Sequence, residues 1–473
     1  NCNGTTANYD ITVKPLPNVT NSPLNKTICS GTNTSVTLTG SVTGTTFAWS
    51  STLTAGNVTG NSTSGSGSIS NTLTNTGNTL GTVQYSITPT ASGCTGPVAT
   101  YNVDVQPVAT ANPSQAAQTI CAGTQTTPVA LTSNVTGAVY AWTAAASPST
   151  GMSGFTATGT GATIPVMTIN STLPTTGPIT YPITPAVGGC NGTPSTHTIT
   201  VNPAPSVATN PAPQSVCSGV PTQAVALSSN VAGTVTFTWS ASSPSGNVSG
   251  FTPSGSGNIP VQNLTNSGST NESVTYHIIP SFSGGTGLEC PGVPLDYVIT
   301  VKPVPVANIA LPNQTICSGT ISTAAPVNSS VTGTTYSWNA SATGGITGFA
   351  ATGTANPIPA WTLTNPGTTP GIVTVQITPT ANGCAGTQIQ HQITVNPKPA
   401  VTNSLAQTVC SSSPSTEVTL TANVPGTSFS WVATPNPGSL TGFAASGSGN
   451  IPAQTINNPT TANGTVTYTI TPS

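Results

Sequence analysis

Apolar and polar residues alternate one by one through much of this chain. Val83, Tyr85 and Ile87 alternate with Gln84 and Ser86, and Tyr101, Val103 and Val105 alternate with Asn102 and Asp104. Period two places one set of side chains on a core and the other in solvent, the mark of a half-buried strand. In the first full copy of the pattern, strands are predicted around Val36 to Leu38, Phe47 to Trp49, Ile69 to Leu73, Val83 to Ile87 and Tyr101 to Val105, separated by turns rich in Gly, Ser and Asn. No window carries a helical period of 3.6 residues. Short strands broken by turn signals about every 8 to 12 residues predict an all-β fold, a Greek-key β-sandwich.

The pattern recurs. Five blocks share one opening: Thr27-Ile28-Cys29-Ser30-Gly31, Thr119-Ile120-Cys121-Ala122-Gly123, Ser215-Val216-Cys217-Ser218-Gly219, Thr315-Ile316-Cys317-Ser318-Gly319 and Thr408-Val409-Cys410-Ser411-Ser412. Each is followed by a tryptophan, at Trp49, Trp142, Trp239, Trp338 and Trp431, expected as the core residue of its sandwich. A second series of cysteines, Cys2, Cys94, Cys190, Cys290 and Cys384, precedes prolines Pro15, Pro107, Pro203, Pro303 and Pro397. The proline spacing stays near roughly 95 residues, the size of one small sandwich. The expected organisation is therefore a final strand of a preceding repeat plus linker in 1–17, Ig-like repeats in 18–107, 108–203, 204–303 and 304–397, and a repeat lacking its final strand in 398–473. Alternate prolines at Val13–Pro17, Val201–Pro205, Val301–Pro305 and Val395–Pro399 favour extended polyproline geometry, so the links are predicted to be semi-rigid spacers in a rod.

Composition narrows the function classes. Charged residues are 2% of the 473, the four basic ones being Lys14, Lys26, Lys302 and Lys398, and the formal net charge is -2. Nucleic-acid binding needs a basic footprint, so that partner is excluded. Ten cysteines in regular register read as disulfides formed outside the cytoplasm. No run approaches the about 20 apolar residues of a membrane-spanning helix. The first residues, Asn1 to Thr6, show no basic and apolar leader regions.

The repeat resembles the PKD-like, Ig-fold repeats of very large secreted surface proteins of Bacteroidota. The resemblance rests on the opening block at Thr27–Thr32, the V-T-G-T-x-F/Y-x-W strand at Val42–Trp49 and Val331–Trp338, the G-F-x-x-x-G-x-G segment at Gly250–Gly257 and Gly442–Gly449, and the Y-x-I-T-P-x-x-x-G-C end at Tyr85–Cys94. It implies an adhesin or stalk exported by the type IX system, in some cases serving gliding motility. The aspartate-rich W-D-F-G-D-G turn of standard PKD domains is missing, because Ser50, Thr143, Ser240, Asn339 or Val432 follows the tryptophan. The resemblance therefore carries over no calcium site, no other metal or cofactor, and no catalytic residue.

Candidate chemistry is thin. His197 and His391 hold equivalent places in the last strand of their repeats and His277 lies one strand earlier in another, so all three are expected on an exposed face. Asp10, Asp104 and Asp296 also fall in last strands, while Glu272, Glu289 and Glu417 are isolated. The Ser-Gly-Ser-Gly runs at Ser64–Gly67, Ser254–Gly257 and Ser446–Gly449 lack the Lys and helix of a phosphate loop and read as turns. Trp361, aligned with Ser70, Val166, Val261 and Ala453, is expected to be exposed. Asn-x-Ser/Thr triplets such as Asn57-Val58-Thr59 and Asn134-Val135-Thr136 are numerous, as chance allows in a surface of this composition. The expected function is a structural stalk or filament segment of an extracellular adhesin, without catalysis, whose partners are neighbouring repeats and, through other regions, a surface or glycan ligand. The alternatives are a carbohydrate-binding repeat array and an accessory linker array of a secreted hydrolase.

Cysteine pairing is left open by spacing alone. The favoured pairing lies within repeats, Cys29 to Cys94, Cys121 to Cys190, Cys217 to Cys290 and Cys317 to Cys384, with Cys2 and Cys410 pairing outside the segment. A rival, Cys29 to Cys190, staples neighbouring repeats if the strand before Cys29 ends at the opposite pole. A third, Cys94 to Cys121, has to span a strand and a linker. The stretch Tyr9–Val13 reads as a final strand without its domain, and the last repeat as a domain without that strand. Either further repeats continue in the same polypeptide or one copy donates the strand to another.

Overall fold

A computed structural model describes residues 3–208, 211–285, 287–404 and 406–473. The described residues form strands and no helix. The first repeat shows the plan. Its large sheet runs, edge to edge, through the opening strand Asn25–Cys29, the closing strand Ala99–Gln106, the central strand Gly81–Ala91, the tryptophan strand Thr46–Ala55 and a short strand Ser64–Ser66. The opening and closing strands are parallel, whereas the other pairings are antiparallel. A smaller sheet of Thr32–Asn33, Thr72–Asn75 and Val58–Thr59, with a bridge from Val36 to Ile69, forms the second layer.

The predicted alternation places the core. Val83, Tyr85 and Ile87 on the central strand and Val103 and Val105 on the closing strand are buried and meet Val36, Ile69 and Leu73 from the smaller layer. This is a two-layer sandwich closed by apolar burial. The same order recurs with closing strands Ser195–Asn202, Leu295–Lys302 and Ile389–Asn396 and opening strands Ala117–Cys121, Gln214–Cys217 and Gln314–Cys317. The last group is smaller: Ser446–Ser448, Phe429–Asn436 and Thr465–Pro472 form a three-stranded sheet. All-β two-layer sandwiches in tandem are the architecture of this chain.

Two expectations about local structure are overturned. The Ser-Gly-Ser segments are short edge strands paired with the tryptophan strand, with Trp49 opposite Gly65, Trp239 opposite Gly255 and Trp431 opposite Gly447. The indole lies where a side chain would be, and a Cβ on Gly65 would stand 2.2 Å from Trp49 Cζ2. Trp361 is buried, packed edge-on against Trp338 with ring centroids 5.6 Å apart. Its backbone N–H bonds the Ser322 hydroxyl, as Met167 bonds Thr126 and Gln262 bonds Thr222. Its counterparts are thus Met167 and Gln262, not Val166 and Val261, and a slip of one residue turns a side chain to the other face. The other repeats pair their tryptophan with a tyrosine, as in Trp49 with Tyr85 at 5.5 Å. In the fourth repeat Val375 takes the tyrosine's place and Trp361 supplies the ring.

Candidate functional site

The features that distinguish this chain lie at the junctions between repeats. Among the described residues three disulfides join Cys29 to Cys190, Cys121 to Cys290 and Cys217 to Cys384, with Cα atoms 5.4 to 5.7 Å apart. Each links the first cysteine of one repeat to the second cysteine of the next. The favoured pairing within repeats is therefore corrected. Cys29 lies opposite Gln106 at the outgoing pole of its sheet, and Cys94 lies opposite Ala91, past the Ile87 to Ala99 pairing at the incoming pole. Along the strands the two are about 35 Å apart, beyond any disulfide. Parallel pairing of the opening strand with the closing strand sends the first cysteine toward the next domain. Cys94, Cys317 and Cys410 are free thiols, the latter two exposed, so Cys94 and Cys317 also lack the partners expected for them. Cys2 lies outside the described residues.

The linkers are built into the following sandwich. Pro107, Pro203, Pro303 and Pro397 are buried where one repeat hands over to the next. The carbonyl of Ala109 accepts a hydrogen bond from Thr193 N at 2.8 Å, and that of Pro205 one from Val293 N at 2.9 Å. Asn112–Pro113 and Ala307–Ile309 then pair with strands of the repeats they enter. These links thus follow the next domain's surface and are not free polyproline spacers. The close approach requires a glycine two residues after each second cysteine: a Cβ on Gly96, Gly192, Gly292 or Gly386 would meet the oxygen of Pro17, Ala109, Pro205 or Pro305 at 2.0 Å or less. This Cys-x-Gly signal stands in the sequence, but its spatial meaning depends on where the linker runs.

Between the second and third repeats the bridge sits in an apolar seam, where Cys121 and Cys290 gather with Val231 and Phe282. There Ala232 N donates to the Pro174 carbonyl at 2.9 Å. The hairpin turns before Cys190 and Cys290 abut the outgoing strand of the previous repeat, Gly188 on the Gln106 side chain and Gly284 on Asn202.

The other candidate residues are dispersed. Trp49, Trp142, Trp239, Trp338 and Trp431 are all buried. No exposed indole is therefore presented at these positions for a sugar. His197 and His391 are also buried, correcting the expected exposure. They occupy the closing-strand position filled by Tyr101 and Tyr297 in the first and third repeats. His197 Nδ1 lies 2.9 Å from the Gln115 carbonyl and its Nε2 3.2 Å from Gln118 Nε2, while His391 Nε2 contacts Gln314 Nε2 at 3.2 Å. Burial lowers the pKa of both. His277 faces solvent and pairs with Asp296 at 2.7 Å. Burial pushes Tyr85, Tyr181 and Tyr276 up to about 12, and Tyr85 donates its phenol proton to Asn71 Oδ1 at 2.7 Å. Among the described residues no group of three or more His, Cys, Asp or Glu could hold a metal ion. No helix among them is long and apolar enough to cross a membrane.

No curated protein sequence matches the chain. Among solved structures, titin domains I67 to I69 in a Glu-to-Ala variant match at 12% identity, covering 62% of this chain and 99% of that one, with a TM-score of 0.32. The human desmocollin-1 ectodomain matches at 9% identity over 94% and 96% of the two chains, with a TM-score of 0.24. Sidekick-1 immunoglobulin domains 1 to 5 match at 12% identity over 79% of each, with a TM-score of 0.23. The family model described as PKD-like domain matches residues 26–109, 118–205, 214–305, 314–399 and 407–473. Matched over most of its length in five consecutive stretches, the chain belongs to the PKD-like domain family.

Proposed function

We propose that the chain is a structural stalk segment of an extracellular surface protein, a semi-rigid spacer that works by holding its ends apart and performs no catalysis. The observation that carries this reading is the direction of the disulfides, which fasten each bridged repeat to its neighbour and not to itself. A hinge needs free backbone between domains. Here the linker is docked on the next sandwich through Gly192 and Gly292, and the junction is crossed by a covalent bond. Disulfides persist in oxidising compartments, so the three bridges support a location outside the cytoplasm. Uncharged Thr-, Ser- and Asn-rich strands suit a solvated surface without a basic or acidic ligand field. The repeat motifs favour a Bacteroidota adhesin of the type IX pathway, with adhesion and any role in gliding vested in regions other than these repeats.

The test is the shape of the oxidised chain by electron microscopy and small-angle scattering. A straight rod rising by on the order of 40 Å per repeat is expected, since a strand of eight or nine residues plus a turn sets that length. Bent strings of independently oriented beads overturn the stalk reading. Glycan-array binding by the same chain would favour the carbohydrate-binding alternative.

A further inference from the structure

We infer that the disulfides organise the array into two covalent rails, the first of which carries tension from end to end, while most of each of the first four sandwiches hangs off that load as a closed loop. This deepens the stalk reading and rests on it.

The rails follow from connectivity. A path entering at Cys29 crosses to Cys190, follows the chain to Cys217, crosses to Cys384 and continues to Cys410. A second path runs from Cys94 to Cys121, crosses to Cys290 and continues to Cys317. Neither rail traverses a tryptophan strand or a central strand between its cysteines. Each rail segment consists of one closing strand, the linker and the next opening strand, as in Leu295–Lys302 followed by Gln314–Cys317. It begins at the incoming pole of one repeat and ends at the outgoing pole of the next, so it spans two repeats.

The two rails are also joined to each other. The opening strand Gln214–Cys217 of the first rail pairs in parallel with the closing strand Leu295–Lys302 of the second. Ala117–Cys121 of the second rail pairs with Ser195–Asn202 of the first, and Gln314–Cys317 of the second with Ile389–Asn396 of the first. Parallel pairing, the feature that sent the first cysteine to the far pole, is thus what hydrogen-bonds rail to rail.

Spacing gives a second, independent observation. From Cys94 to Cys121, Cys190 to Cys217, Cys290 to Cys317 and Cys384 to Cys410 the chain runs about 27 residues each time, which reaches about 90 Å when taut. Two repeats at on the order of 40 Å each already use about 80 Å of that reach. The complementary stretches, such as Cys29 to Cys94 and Cys217 to Cys290, vary between roughly 65 and 73 residues, as loops free of a length constraint can. Length is held constant where a taut segment must fit and varies where it need not.

Stretching the full chain between terminal handles, with and without prior reduction, tests the rails. In the oxidised chain the shortest covalent path omits everything between Cys29 and Cys190 and between Cys217 and Cys384, leaving a taut length of about 500 Å. The reduced chain extends to about 1,600 Å, roughly threefold more. Cys121→Ser breaks only the second rail and leaves about 500 Å, whereas Cys29→Ser with Cys217→Ser breaks the first and lengthens the path to about 1,000 Å. Oxidised chain that reaches about 1,600 Å with its bridges intact by mass spectrometry, or peptide maps showing bonds within repeats, overturns the rails. A straight rod with that full extension would leave the stalk reading standing. A beaded, bent chain limited to about 500 Å would overturn the stalk reading and keep the rails.

Discussion

Replacing Gly255 with alanine tests how the sandwich core is sealed. Gly255 lies opposite Trp239, and a Cβ there would stand 2.3 Å from Cζ2, 2.7 Å from Cη2 and 2.9 Å from Cε2 of the indole. Ordinary carbon contacts are near 3.5 to 4.0 Å, so ring or strand has to move. The ring has little freedom, because Tyr276 packs edge-on at 5.6 Å and Trp239 Nε1 donates to the Gly257 carbonyl at 3.2 Å. Gly255 itself does not have the positive φ of neighbouring Gly257, so alanine fits its backbone and the penalty is one of space. Overpacking a filled core costs about 1–3 kcal/mol, reduced by the roughly 0.4–1 kcal/mol gained when alanine stiffens the unfolded chain. The midpoint of that net cost is about 1.3 kcal/mol, and at roughly 4–8 °C per kcal/mol for a domain of this size the third repeat should melt about 5–10 °C earlier. Tryptophan fluorescence through thermal and urea unfolding reads the change, with Ser254→Ala and Ser256→Ala, exposed on the same strand, as controls. If Gly255→Ala melts within about 0.5 kcal/mol of those controls, the ring is not held as argued.

Other outcomes follow from the buried histidines, the thiols and the lysines. Burial lowers the pKa of His197 and His391, so the unfolded chain binds more protons, and the second and fourth repeats hold full stability above the ordinary histidine value of about 6.5 and lose it as pH falls below. Tyrosine at both positions, as at Tyr101 and Tyr297, should flatten the melting temperature between pH 7.5 and 5, and an unchanged acid sensitivity would contradict this. Alkylation of the native, unreduced chain should label Cys317 and Cys410 ahead of half-buried Cys94 and leave Cys29, Cys121, Cys190, Cys217, Cys290 and Cys384 unmodified. Brief trypsin treatment should leave the native chain uncut, because Lys14, Lys302 and Lys398 precede prolines and Lys26 lies in a strand with its ammonium on the Thr34 carbonyl at 2.8 Å. A ladder of single-repeat fragments would refute it.

The sandwich was legible because its central and closing strands alternate without interruption, and Val83 to Ile87 and Tyr101 to Val105 needed only period two to be placed. Less was legible where meaning depended on a partner strand. The Ser-Gly-Ser segments have turn composition, and only the indole lying over Gly65 explains why a strand there carries no side chain. Trp361 was misplaced by one residue of register, which in a strand is the whole difference between surface and core. The cysteine spacing was visible, but not the parallel pairing of Asn25–Cys29 with Ala99–Gln106 that decides the pole. His197 and His391 sit among polar neighbours in sequence, and nothing in one strand says that the glutamines of an opening strand will cover them.

Stability and load are thereby assigned to different parts of each of the first four repeats. The tryptophan strand, the central strand and the glycine strand hold the packed rings and lie in the looped-off portion, so Gly255→Ala should change when the third repeat melts without changing the oxidised taut length. The opening and closing strands and the linkers form the rails, so Cys29→Ser with Cys217→Ser should change the taut length while the packing of Trp239 on Tyr276 is untouched. The parallel strand pair is the one element common to both, since Val216 and Ile299 face the core while Cys217 leaves the sheet for the next repeat. Force on a rail therefore acts on the edge of a core from which the rail can be peeled only by breaking its hydrogen bonds to the other rail. With each bridged repeat tied to both rails, unfolding one of the first four sandwiches under tension releases only the slack of its rail segment, about 10 Å of about 90 Å, and across those repeats the span is kept by covalent bonds and not by the stability of any single domain.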